Sequence, residues 1–475
     1  MRKNILLLLF LGAVLTLTGC TSVSEPYYNP GTQPVTQYED PEAQLITQYE
    51  DPGTQPPPPC EIIDMQPLVR LEDMAALIST GGEHDPAATA VARGANDFAF
   101  RLGATLLEGV GHDNFVVSPF SVWMPLAALV NATQQPLRPA LIETLGAGGS
   151  STEDINRAAS RMLFDLTNDR PRRESLGQWH GSEESALHIA NAIFVDYNWP
   201  LRREFAQTFA DFYRGSSMNL DFETPEAVDA VNQWASDNTN GLIDEVIREF
   251  DPDAIAAVAN AIYFSGAWLD EFDPDNTERG TFYSPAGERE VYFMRQHRLF
   301  TYFEDEQVQA VNLGFVCGSG MKIILPKDGD AVGLLSSMTG GCFERMRNDS
   351  VLGEGMLKLP RFSIENTIDN LANALIAMGV PLFDKGARPL TGGLVYDDGY
   401  PVWLGGAVQV AMIEADEEGA TAAAVTVMEV FGILSVPNPE ATFVMICDTP
   451  FAFILHSGTR DGGRQVLFMG VVNQP

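Results

Sequence analysis

The sequence predicts an α+β fold, with one globular domain of nearly 400 residues behind an N-terminal leader and tether. Three observations carry this reading. Apolar runs of strand length recur, as at 190–195, 259–268, 321–326 and 451–455. Between them lie stretches with helical spacing, clearest at 90–107. No linker divides the chain after about residue 85, although 475 residues would ordinarily suggest two or three domains. A hydrophobic share of 45% is enough for one large core.

Residues 1–19 begin with Arg2 and Lys3, continue through an apolar run from Ile5 to Leu17, and end Leu17-Thr18-Gly19 before Cys20. A charged start, a short apolar stretch and small residues at the cut describe an export signal, too short to be read as a membrane span. Leu17-Thr18-Gly19-Cys20 resembles the bacterial lipobox, which implies acylation of Cys20 and a lipid-anchored place in the cell envelope, at the surface or in the periplasm. Thr21 offers no acidic retention signal, so in a two-membrane bacterium the outer membrane is expected. Residues 20–62 are poor in apolar side chains, repeat TQYEDP at 36–41 and 47–52, and carry four prolines at 56–59. Such a segment cannot bury enough surface to fold. At about 3.1 Å per residue it is a tether reaching on the order of 100 Å.

The globular domain, 63–475, opens with helical spacing through Val91, Phe98, Leu102 and Leu106. The segment Asn114-Phe115-Val116-Val117-Ser118-Pro119-Phe120-Ser121 reads as a strand running into a helix, with Ser118 as cap and Pro119 in the first turn. Ala190-Asn191-Ala192-Ile193-Phe194-Val195 starts another strand, and the stretch from Val231 to Trp234 belongs to a helix closed by Gly241. Ala259-Asn260-Ala261-Ile262-Tyr263-Phe264 is nearly continuous apolar character, the mark of a buried strand. Residues 357–364 give further strands and 371–380 an amphipathic helix. Strands close the chain at 451–455 and 467–472.

Charge narrows the partners. There are 29 basic and 64 acidic residues, a formal charge of −35, and a surface so acidic repels phosphate backbones and heparin-like polyanions. No nucleic-acid partner is expected. Cysteines at 20, 60, 317, 342 and 447 form no C-x-x-C and no metal spacing with the six histidines, so neither metal nor cofactor is expected. An exported protein would permit a Cys317–Cys342 bridge, but buried free thiols are the expected state. H-E-x-x-H, G-x-S-x-G, P-loop and G-x-G-x-x-G motifs are absent from the sequence, which argues against an enzyme.

The stretch from Met412 to Val436 organises the rest. It starts with β alternation through Ile413 and Ala415, then Glu417-Glu418-Gly419-Ala420-Thr421-Ala422-Ala423-Ala424-Val425-Thr426 carries no large side chain after its two acids. In a strand, Ala420, Ala422, Ala424 and Thr426 share one face, small enough to slide between two existing strands. By the residues alone an alanine-rich helix is equally open. Beyond lies an apolar segment, 428–436, suited to a protease cleft.

EEGATAAAVT resembles the mobile hinge of the serpins, usually EEGTEAAAAT, with Ala420 where Thr is common. The segments quoted above at 114–121, 190–195, 231–243, 259–268 and 451–475 resemble serpin segments in the same order, covering roughly 90 to 475. The turn at 131–139 departs from the family pattern. The resemblance implies helices packed around a large central mixed sheet plus smaller sheets, with an exposed reactive loop. It also implies a suicide-substrate inhibitor: a serine or cysteine protease cuts the loop, is acylated, and is trapped as the cut loop enters the central sheet. The family count places the cut at Ile433-Leu434. Phe431-Gly432 and Leu434-Ser435 compete, because the segment leading to Pro450-Phe451 is several residues longer than usual. All three are uncharged and suit elastase-, chymotrypsin- or subtilisin-like enzymes with apolar primary pockets. Sheet opening corresponds to Ser118, Ser121, Asn260 and Gln409, where the last position usually holds His. A monomer is expected. The competing functional class is a non-inhibitory binding or structural lipoprotein on the same fold, which the small hinge face argues against.

Overall fold

The computed structural model describes residues 8–16, 62–63, 85–167, 186–239, 241, 243–251, 253–396, 400–420, 441–458 and 463–475. A central sheet runs β12 (Phe362–Ile368), β13 (Val408–Ala415), β1 (Leu8–Thr16), β6 (Ala254–Ala267), β4 (Ala186–Asp196), β5 (Gly215–Leu220) and β2 (Ile62–Ile63). The short β14 (Gly419–Ala420) pairs with the end of β6. A second sheet runs β15 (Ala441–Ile446), β11 (Val351–Pro360), β8 (Gly287–Glu304), β9 (Val308–Gly314), β10 (Gly320–Pro326), β16 (Phe451–His456), β17 (Val466–Val472) and β3 (Phe115–Val117), with β7 (Glu278–Ser284) on β8. Both sheets are mixed, since β4 with β5 and β11 with β15 are parallel.

Nine α-helices among the described residues flank these sheets: α1 (Pro86–Leu107), α2 (Pro119–Leu129), α3 (Arg138–Thr144), α4 (Thr152–Thr167), α5 (Arg203–Tyr213), α6 (Pro225–Asn238), α7 (Ala331–Ser337), α8 (Gly340–Asn348) and α9 (Leu371–Ala377). Helix α1 starts where Asp85 accepts hydrogen bonds from the Ala87 and Ala88 amides, and it buries Val91, Phe98, Leu102 and Leu106. Helix α2 is capped by Ser118, whose Oγ accepts from the Ser121 amide at 3.3 Å, and every one of its residues is buried. A helix apolar all round belongs inside a large protein; α2 packs beneath β6 and β17. Helix α9 stops earlier than residue 380. Gly379 adopts φ +89°, and the Val380 amide bonds back to the Leu375 carbonyl at 2.9 Å, which closes the last turn.

The main core draws on strands of both sheets and on helices α1, α2 and α4. Along β6, Ala256, Val258, Ile262 and Phe264 belong to that core, while Ala257, Ala259 and Ala261 pack with Val231, Trp234 and Ala235 of α6 in a second cluster. The central strand is thus buried on both faces, as its continuous apolar sequence requires. The thiols of Cys317, Cys342 and Cys447 are not in disulfides. Cys447 is buried, but Cys317 and Cys342 are half-buried, a correction to the expected burial: Cys317 follows the end of β9 and Cys342 sits in the first turn of α8, at the margin of the core.

Candidate functional site: the loop hinge and the strand slot

Strand β13 alternates: Gln409, Ala411, Ile413 and Ala415 are buried and the residues between them are half-buried. It delivers Glu417, only 5% exposed, to a fixed seat. Glu417 Oε1 accepts from Arg361 Nε at 2.9 Å, from Arg361 Nη2 at 2.7 Å and from Thr277 Oγ1 at 2.5 Å. Burial raises this carboxyl's proton affinity, but the bonds from Arg361 and Thr277 outweigh it and hold it below the usual carboxylate range. Its neighbours go the other way. Burial pushes Asp416 up, and burial with the charges of Asp416, Glu271 and Glu417 pushes Glu418 up.

The backbone is tied down too. The Phe272 amide donates to the Glu417 carbonyl at 2.9 Å, the Trp268 amide to the Glu418 carbonyl at 3.2 Å, and Trp268 Nε1 to the Asp416 carbonyl at 2.8 Å. The chain then turns at Gly419, whose φ of +140° favours glycine. A Cβ there would lie 2.4 Å from the Gly266 carbonyl oxygen, so the turn against β6 needs glycine on two counts. Gly419 faces Ala267 and Ala420 faces Gly266, antiparallel. Of the predicted hinge, 419–420 pair with β6 and 417–418 are held by Phe272 and Trp268 just past its end; 421–426 and the reactive-bond candidates at 431–435 lie outside the described residues, as does Cys20. The hinge borders a cleft of about 570 Å³ lined in part by Arg361, Glu414, Asp416 and Glu418.

Strands β6 and β13 do not pair with each other. Between them lies β1, antiparallel to both, with Leu8 opposite Tyr263 on one side and Met412 on the other. The central sheet thus contains a slot one strand wide, filled here by residues that the sequence reading assigns to an export signal.

Residues predicted to control opening sit around this slot, in two groups. Gln409 Oε1 accepts from the Ser118 amide and its Nε2 donates to the Ser118 carbonyl, each at 3.0 Å. Asn260 turns elsewhere: its Nδ2 donates to Asn191 Oδ1 at 2.7 Å, and Asn191 Nδ2 donates to the Tyr213 carbonyl at 2.7 Å. Tyr213 is fully buried, which pushes its phenol up, and its hydroxyl donates to Asn156 Oδ1 at 2.9 Å. Leu11 of β1 stands opposite both Asn260 and Gln409, so the strand in the slot separates the two groups. Asn260 Oδ1 and Ser121 Oγ are buried without a hydrogen-bond partner. Sequence reading missed Asn191, Arg361 and Thr277. Asn191 carried a signal, since Ala190-Asn191-Ala192 repeats the polar-in-apolar pattern of Ala259-Asn260-Ala261, and the two asparagines face each other across β4 and β6.

Comparison with known proteins gives the family and the fold. The chain is 28% identical over 401 residues to an uncharacterized serpin-like protein of Thermococcus kodakarensis, covering 83% of this chain and 87% of that one. It is 28% identical over 396 residues to human neuroserpin, covering 78% and 88%. The crystal structure of the thermophilic serpin tengpin in its native state superposes with a TM-score of 0.69 at 22% identity, over 82% of this chain and 95% of that one. Residues 93–475 match the family described as Serpin (serine protease inhibitor), and the chain belongs to that family.

Proposed function

We propose that the chain is a suicide-substrate inhibitor of serine endopeptidases with apolar primary pockets, held at the cell envelope by a lipid on Cys20. One observation carries the inhibitory reading: the hinge already pairs with the end of β6 at the mouth of a one-strand slot. Continuing that pairing along β6 brings Ala422 opposite Phe264, Ala424 opposite Ile262 and Thr426 opposite Asn260. Directly opposed residues share a sheet face, so these small side chains would meet the main core, where Phe264 and Ile262 are buried. Thr426 would bring a hydroxyl to the position where Asn260 Oδ1 lacks a donor. The same register exhausts β6 at Phe431 or Gly432, the range reflecting the irregular pairing near Ala254. A cut at Ile433-Leu434 would release just enough chain to fill the slot.

The chemistry assigned to this chain is that of bait. The protease's serine attacks the carbonyl at the cut bond, and the acyl link survives if insertion outruns deacylation. Thus the hinge is a kinetic element, and its small residues keep the insertion barrier low. One experiment examines both halves of the proposal. Cells expressing the parent or Cys20→Ala are fractionated and each fraction is incubated with chymotrypsin-, elastase- and subtilisin-like enzymes. The expected result is an SDS-resistant adduct in the membrane fraction of the parent, and recovery of Cys20→Ala in the soluble fraction. Clean cleavage of the parent without adduct would remove the inhibitory reading; a membrane-bound Cys20→Ala would remove the lipid anchor.

A further inference from the structure

The slot is occupied by the chain's own N-terminus. Strand β1 makes ladders on both sides, with β6 from Leu8 to Thr16 and with β13 from Leu8 to Gly12. It runs in the direction that the reactive loop would take, because β14 is also antiparallel to β6. The two segments need the same hydrogen-bonding groups. Extending the hinge register brings Ala423 to Tyr263, where Leu8 stands, and each later loop residue to a β6 position already taken by β1. Among the described residues, the stretch of β6 from Phe264 to Ala267 is not paired with β1, and the hinge pairs at its end.

From this overlap we infer that β1 is an intramolecular plug: the chain that retains residues 8–16 cannot take in its reactive loop, and removal of the N-terminal segment arms the inhibitor. The inference rests on the loop-insertion reading above. Hydrolysis of the Gly19–Cys20 peptide bond removes β1 whole, with water supplying the hydroxyl of the new Gly19 carboxyl and a hydrogen of the new Cys20 amine. Trapping capacity then appears only after processing, so the unprocessed chain spares any protease it meets before export. With β1 in the slot, Asn260 Oδ1 and Ser121 Oγ stay without a hydrogen-bond partner.

The test uses the full chain and a variant carrying Leu11→Pro and Val14→Pro. Proline lacks the amide donor and is not accommodated in a strand paired on both sides. Each protein is melted intact and after its loop is cut by a subtilisin-like enzyme. Insertion of about ten new ladder bonds predicts a rise in melting temperature on the order of 10 °C for a domain of this size. The expected result is that the proline variant, cut, gains this rise while the parent, cut, does not, and that the intact parent melts above the intact variant. Equal rises in both proteins would overturn the plug and leave loop insertion standing. A rise in the parent alone would also overturn it. No rise in either would overturn loop insertion itself, and the plug with it.

Discussion

The two sheets are built from the same kind of residues but to different ends. In the second sheet, β16 and β17 are buried at every position and pair directly with each other, Phe453 opposite Gly470. A Cβ on Gly470 would lie 2.4 Å from the Phe453 ring, so the fit is closed to the last methyl. In the central sheet, alanine is the commonest residue of β6, β13 lies one strand away, and a buried polar atom stays unmet both on Asn260 and on Ser121 of the adjoining α2. Large interlocked side chains make a permanent core, whereas small side chains and unsatisfied polar atoms around a gap make a place for another strand.

That contrast can be sharpened by substitutions in each region. The largest effect is expected in the second sheet. Phe453, fully buried against Phe362 with ring centroids 5.6 Å apart, should cost about 3–5 kcal/mol of stability when changed to Ala. Chemical denaturation of the intact and loop-cleaved forms should show the same loss in both, because this sheet does not take part in insertion. A loss confined to one form would mean that the second sheet also rearranges.

A substitution in the hinge should do the reverse. Ala422→Arg would carry a long cation toward the main core during insertion, adding about 3 kcal/mol to the barrier, which slows trapping roughly a hundredfold. Measured with an apolar-pocket protease on chains that begin at residue 20, the variant should be consumed as a substrate while melting like the parent before cleavage. Thr421→Arg, one residue earlier on the opposite face, should trap much more nearly like the parent. If both variants trap equally well, the alternating-face account of 420–426 is wrong.

The smallest effect belongs to the anchor at the hinge. Arg361 is 46% exposed, so screening limits its ion pair with Glu417 to about 1 kcal/mol. Since the folded state holds Glu417 below the usual carboxylate range, its contribution is present above the unfolded carboxylate pKa and is lost as pH falls through the folded value. Asp416 and Glu418 are raised in the folded state, so their unfavourable contribution is relieved as pH falls through their own higher values. Mild acid should therefore first ease the strain of the acidic pair, and stronger acid should then loosen the Glu417 seat. Glu417→Gln should abolish the second phase when hinge protection is followed by hydrogen exchange across this pH range. A second phase persisting in Glu417→Gln would assign it to another group.

Much of this molecule was legible in sequence because the signals are local. Alternation through Ile413 and Ala415, the Ser118-Pro119 helix start and the glycine at 419 each follow from steric and hydrogen-bonding needs within a few residues. What stayed hidden depends on partners far apart in the chain. Arg361 and Glu417 are separated by 56 positions, and Asn260 reaches Asn191 across 69, so neither bond has a local signature. Ser118, Ser121, Asn260 and Gln409 read as one group in sequence, but a strand lies between Asn260 and Gln409 in the fold. That strand was the least foreseeable element, since the apolar run of residues 8–16 has the composition of a leader and nothing in a single sequence assigns it a pairing register.

Where the cut loop goes is the most direct test of insertion. A crystal structure of the chain from residue 20 onward, cleaved in its loop, should contain a strand from Ala420 to about Gly432 between β6 and β13, with Thr426 opposite Asn260. A cleaved structure in which β6 and β13 pair with each other, or in which the loop lies outside the sheet, would contradict it.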